Sequence, residues 1–217
     1  MRSIDPALLA CAEQFVRPGD VVWDVGANVG LFSAAAAVRA GANGRVIAFE
    51  PDVELVRLLR RSSENWDPSM APMSALPVAV ASESGVRAFN IAGRSRASNA
   101  LAEYGHSEMG GVAQRQLVPA FNLDRLLTQL PPPQLIKIDV EGAEIEVVAG
   151  QDQMLNHVRP VFICEVASRN SAAITAIFVS MSYRLYNGEK QFVAHQPVER
   201  ASWSTVAIPQ EKAAQFG

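Results

Sequence analysis

One segment constrains this chain more than any other: an apolar run ends in an acid and opens into a glycine-spaced corner, Val21-Val22-Trp23-Asp24-Val25-Gly26-Ala27-Asn28-Val29-Gly30. Further on, a second apolar run ends in Phe49-Glu50-Pro51-Asp52. The pair predicts a strand–turn–helix–strand unit with carboxylates at neighbouring strand tips. In open α/β sheets, ligands bind beyond the carboxyl ends of the strands, where strand order reverses. Gly26 and Gly30 allow a bend and a close backbone approach that a Cβ would obstruct. Two acids at such a place suit a ligand with hydroxyls and positive charge. A nucleoside sulfonium fits that description better than a pyrophosphate, which Asp24 would repel.

The rest of the chain extends the pattern. Helical spacing over residues 6–16 predicts an N-terminal helix within 1–18, and Pro18-Gly19-Asp20 punctuates the approach to a strand at 21–25. A helix over 31–40, a strand over 45–50 and a helix over 52–65 follow. Pro77-Val78-Ala79-Val80-Ala81 reads as the third strand. Over 86–120 the period is lost among short β-like pieces, several glycines and the polar Arg94, Arg96, His106 and Arg115. Order returns with a helix over 122–129, a strand over 135–139 after three prolines, and a helix through Val148. A strand over 161–166, a helix near 170–180 and two terminal strands near 183–186 and 203–208 complete it. Strands alternating with helices predict one α/β domain over 1–217, with a mostly parallel sheet and helices on both faces. Residues 86–120 are then an insertion on the substrate side.

Composition narrows the partners. Nineteen basic against twenty-two acidic residues give a net charge of -3 with no basic stripe, which argues against nucleic acid. No apolar run approaches the roughly 20 residues that span a bilayer, so no membrane partner is expected. The start, with its early Asp5 and Pro6, does not read as a signal peptide, and the two cysteines lack metal or redox spacing. A cytoplasmic setting is the natural expectation, and a homodimer is allowed.

Each candidate residue also has a plainer reading. Asp24 is a common turn former, and Glu50 before Pro51 suits a helix start. Asp139 ends the strand Leu135-Ile136-Lys137-Ile138, and Lys137 in that strand requires an acid on a neighbouring element. Glu144 falls in a first helical turn, where negative charge is favourable anyway.

Three blocks together resemble the FkbM family of S-adenosylmethionine-dependent methyltransferases: Asp24-Val25-Gly26-Ala27-Asn28-Val29-Gly30, then Ala48-Phe49-Glu50-Pro51, then Ile136-Lys137-Ile138-Asp139-Val140-Glu141-Gly142-Ala143-Glu144-Ile145-Glu146-Val147. Weaker matches lie at 79–85, Ser98-Asn99, Asn122-Leu123-Asp124 and Glu165. The resemblance implies the Rossmann-like class I methyltransferase fold with a seven-stranded sheet. It implies S-adenosylmethionine as cofactor and a hydroxyl of a small molecule, natural product or glycan as acceptor. By it, Asp24, Gly26, Asn28 and Gly30 line the methionine and sugar part of the cofactor. Glu50 binds the ribose, and Ala79 to Ser82 lie near the adenine, with Asp139 also facing the cofactor.

An alcohol acceptor loses a proton, so a base or a metal belongs nearby. Asp139, Glu165 and His106 are the candidate bases. Asp139 with Glu165 is also the candidate pair of oxygen ligands for Mg²⁺. Two other readings stay open on the residues alone, a nicotinamide-dependent oxidoreductase and a non-catalytic nucleotide-binding module. The glycines lack the full dinucleotide pattern, which disfavours the first, and retention of Asp24, Glu50, Asp139 and Glu165 together disfavours the second.

Overall fold

Five-residue apolar strands joined by short helices can bury both faces only as the middle layer of a sandwich, and the chain does this. The computed structural model describes residues 6–92, 99–103 and 112–216. Helix α1 (Pro6–Phe15) leads to β1 (Val21–Val25), α2 (Leu31–Ala40), β2 (Arg45–Phe49) and α3 (Val53–Ser63). Asp52 caps α3, its Oδ1 accepting from the Glu54 N–H at 2.9 Å. Then come β3 (Met73–Leu76), β4 (Ala79–Val80), β5 (Gly85–Ala92), β6 (Ala100–Leu101) and β7 (Val112–Phe121). The second half holds α4 (Leu123–Leu127), β8 (Leu135–Ile138), α5 (Glu144–Val148), β9 (Val161–Glu165), α6 (Ser171–Ser180), β10 (Tyr183–Asn187) and β11 (Ser204–Pro209).

Seven strands form one sheet in the order β10-β11-β9-β8-β1-β2-β3. The neighbours from β3 through β9 are all parallel, while β11 runs antiparallel to both β9 and β10. From β1 the chain winds outward to β3, then returns to lay β8 on the other side of β1. The strand order reverses there, which opens a crevice between the tips of β1 and β8. One face of the sheet packs Phe32, Ala36 and Ala37 of α2 and Ala12 and Phe15 of α1 over Val22, Val46 and Leu135. The other packs Leu123, Val147, Ile174 and Phe178 over Trp23, Ile136 and Phe162. Helices cover both faces, as the alternation requires.

Two expectations change. The third strand of the main sheet is Met73–Leu76, paired with Val46–Phe49, and not residues 77–81. Its single well-buried position hides it from a search for apolar runs. Ala79 and Val80 instead pair with Ala120 and Phe121 in a separate sheet of order β4-β7-β5-β6. The stretch read as lacking a period contains a long antiparallel ladder, Gly85–Ala92 against Val112–Phe121, with a bulge between Ile91 and Ala92. Its inward side chains Phe89, Ile91, Leu101 and Val118 close over Ala79, Ala81 and Ala143. That contact brings the second sheet against the tips of the first.

Candidate active site at the carboxyl ends of the strands

The corner after β1 is fixed by a steric limit. Gly26 has φ +76°, and a Cβ built there would lie 1.9 Å from the Asp139 carbonyl oxygen. The loops leaving β1 and β8 therefore touch backbone to backbone, and only glycine permits it. Gly30, at φ +82°, lets α2 start against Leu59 of α3. Asn28 adopts a left-handed φ of 51°, which aims its N–H at Glu50.

Glu50 leaves the tip of β2 almost fully buried. Its Oε2 accepts from the Asn28 N–H and its Oε1 from the Asp52 N–H, each at 2.9 Å. Each oxygen retains a lone pair toward the cleft. Burial pushes its pKa up from 4.5 to about 7; the two N–H donors and Lys137 oppose that rise, and Asp52 adds to it.

Lys137 and Asp24 stand side by side in the β1–β8 register. Asp24 is 0% exposed and Lys137 3%. The Lys137 ammonium lies 3.5 Å from Asp24 Oδ1 and donates at 3.2 Å both to Asp139 Oδ2 and to the Gly26 carbonyl. Ser33 of α2 donates to Asp24 Oδ2 at 2.6 Å. Burial alone would lower the Lys137 pKa, but Asp139, Asp24 and Glu165 raise it above the ordinary lysine value. The lysine that required an acid has two within contact distance.

A cleft of about 580 Å³ opens above these tips. Gly26, Asn28, Glu50, Ala79 and Asp139 line it, with Asn99, Phe89, Leu101, Val78 and Val80 completing the wall. Asp24, Gly30, Ser82 and Glu165, which the resemblance would group with them, lie off this wall. Asp24 points with Val22 to the α2 side of the sheet, under Ser33. Gly30 serves the α2–α3 contact. Ser82 donates to Glu146 Oε2 at 2.6 Å. Glu165 lines a second cavity, reached from the same Lys137. His106, Arg94 and Arg96 lie outside the described residues, and Arg115 is exposed on β7. Glu144 acts structurally, accepting from the Gly142 N–H and the Asn170 amide and so tying the turn after β8 to the loop before α6.

Sequence reasoning passed over Phe89, Leu101 and Ser33. The alternation Arg87, Phe89, Ile91 was a visible period-2 signal for the first. Nothing local marks Ser33 as a partner of Asp24.

The residues present fit a nucleoside: a carboxylate at a strand tip, the Asn99 amide, and apolar walls from Phe89, Val78, Val80 and Leu101 for a flat base. They do not fit Mg²⁺ as expected. Among the described residues, no group of three or more His, Cys, Asp or Glu is placed to hold a metal ion. Asp139 carries the Lys137 ammonium on Oδ2, and Glu165 faces the other cavity. Among the described residues no helix is long and apolar enough to cross a membrane.

Comparison with known proteins agrees with this arrangement. Residues 24–197 match the methyltransferase FkbM domain. The chain is 28% identical over 145 residues to hexuronic acid methyltransferase AglP of Haloferax volcanii, covering 66% of this chain but only 55% of that one. The fold is similar to precorrin-6y C5,15-methyltransferase of Geobacter metallireducens, with TM-score 0.53, 12% identity, and coverage of 95% and 90% of the two chains. It is also similar to methyltransferase FkbM of Methylobacillus flagellatus, with TM-score 0.52, 15% identity, and coverage of 92% and 49%. The seven-stranded sheet with its antiparallel β11 is thus the class I methyltransferase fold. With that fold, and with the domain match running from Asp24 past Glu165, the chain belongs to the FkbM methyltransferase family.

Proposed function

We propose that this chain is an S-adenosylmethionine-dependent O-methyltransferase that acts on a hydroxyl of a small molecule or glycan. The observation that carries this reading is the cleft at the β1–β2–β8 tips, with buried Glu50 on one side and Asp139 on the other. The family membership supports it, and the chain spans about half the length of the curated relative it matches. When bound, the cofactor supplies a methyl group already activated on a sulfonium. Glu50 accepts the ribose hydroxyls, while Phe89, Val78, Val80 and Leu101 hold the base. The protein's contribution to rate is largely orientation, which can supply roughly 7–11 kcal/mol of a barrier. As the new C–O bond forms, the hydroxyl proton becomes strongly acidic. Asp139 takes it, held in place by the Lys137 ammonium.

Calorimetry with S-adenosylmethionine, NADH and ATP tests the cofactor. S-adenosylmethionine should bind, and Glu50→Ala should weaken it about tenfold to a hundredfold, since hydrogen bonds to a charged group contribute about 1.5–3 kcal/mol. Selective binding of NADH, or indifference to Glu50→Ala, overturns the reading.

The same residue predicts a pH dependence. Ribose hydroxyls need the carboxylate, and the free protein holds Glu50 at a pKa of about 7. Binding favours the deprotonated form, so protons compete with the ligand. Affinity should therefore rise about tenfold between pH 6 and pH 8. Titrations at three pH values measure it, and the slope should vanish in Glu50→Ala.

A further inference from the structure

The second cavity, about 480 Å³, is lined by Leu8, Lys137, Ile138, Ile163, Glu165, Glu189, Trp203 and Ser204. Its size lies within the roughly 300–1,000 Å³ range of small-molecule sites. It shares Lys137 with the cofactor cleft: the ammonium that faces this cavity contacts Asp139 and Gly26, both on the cleft wall. Two ligands held in the two spaces would meet across one ion pair.

The chemistry of the lining is specific. Trp203 is 55% exposed, at the start of β11, and Trp is rarely left so open without a partner. A large flat apolar side chain beside hydrogen-bonding carboxylates suits a ring with an apolar face and a hydroxylated rim. That is the surface of a pyranose. Glu165 and Glu189 can accept from its hydroxyls, and Ser204 can donate or accept.

Charge then decides between sugar classes. Lys137, the cation in the lining, is already matched by Asp24 and Asp139. What remains facing the cavity is the negative charge of Glu165 and Glu189, which opposes an anionic acceptor. We infer that this cavity is the acceptor site and that it takes an uncharged pyranose unit, stacked on Trp203, with hydroxyls held by Glu165 and Glu189. A sugar acid is disfavoured here, in contrast to the hexuronic acid in the name of the AglP relative. The inference rests on the methyltransferase reading above and adds to it the acceptor class and the residue that selects it.

The test needs no knowledge of the natural acceptor. The full chain, with saturating S-adenosylhomocysteine, is mixed with methyl glycosides of neutral hexoses, deoxyhexoses and hexuronic acids. Binding is read by saturation-transfer NMR. Neutral glycosides should receive saturation and uronates should not. Trp203→Ala should reduce the signal about tenfold, as loss of an aromatic anchor does. Trp203→Phe should restore part of it, and Leu58→Ser on the far surface of α3 should leave it unchanged. S-adenosylhomocysteine affinity, measured separately, should not change in Trp203→Ala. If no neutral glycoside binds while S-adenosylhomocysteine does, or if uronates bind better, or if Trp203→Ala keeps the signal, the sugar site is wrong and the methyltransferase reading stands. If S-adenosylhomocysteine itself does not bind, the underlying reading fails instead.

Discussion

Lys137→Met should destabilise the fold by about 3–5 kcal/mol, the usual cost of removing one partner from a buried ion pair. Asp24 is wholly enclosed, and among the described residues its Oδ1 has no hydrogen-bond donor. Its compensation at that atom is the ammonium 3.5 Å away. Removing the lysine strands a carboxylate in an apolar layer under α2, with only Ser33 still bonded to it. For a chain of this length the loss corresponds to a melting-temperature drop of roughly 6–20 °C. The double variant Asp24→Asn with Lys137→Met should recover much of that loss, because no unpaired charge remains. The pair's contribution has a defined pH range. Lys137 has a pKa above its unfolded value, so the stabilisation is complete at neutral pH and is lost only in strongly alkaline solution. A single variant as stable as the parent in thermal melts would show that Asp24 needs no counter-charge.

Asp139→Asn should lower kcat by about 10²–10⁴ while leaving the fold intact, the range expected when a positioned proton acceptor is lost. The substitution preserves size and can still accept from the Lys137 ammonium, which keeps its stronger tie to buried Asp24. Asp139 is partly open to solvent, with 30% of its side chain exposed, so losing its charge should disturb packing little. The distinction lies in which constant changes. Loss of proton acceptance lowers kcat at unchanged cofactor affinity, whereas loss of a contact to the cofactor raises its Kd. Thermal melting, calorimetry with S-adenosylhomocysteine and steady-state rates on one preparation separate these. A fully active Asp139→Asn enzyme removes the residue from the chemistry.

Much of the fold was legible because local rules act on nearby residues. The strand at 21–25 and the helix at 31–40 form where apolar runs and the glycine corner predict them. Asp52 and Asn122, read as helix beginnings, are the N-caps of α3 and α4. The need of Lys137 for an acid was legible too, since a mid-strand ammonium has few other solutions. The third strand was not, because Met73–Leu76 is a half-exposed edge whose pattern resembles a loop. The β5–β7 ladder was missed as well, because its partners lie far apart in sequence and a bulge interrupts the alternation.

The sequence alone determined the class I sheet, the carboxylates at successive strand tips and the family to which they belong. Those features follow from periodicity, glycine geometry and the short range of helix and strand signals. Only the tertiary structure decided which face each acid serves. Asp24 and Asp139 both lie at the carboxyl ends of adjacent strands, yet one is sealed beneath α2 and the other opens on the cleft. Glu165, on the next strand, looks into a different cavity beside Trp203. The reason is register: strand pairing and the twist of the sheet turn each side chain toward one layer or another, and a one-residue shift would reverse it.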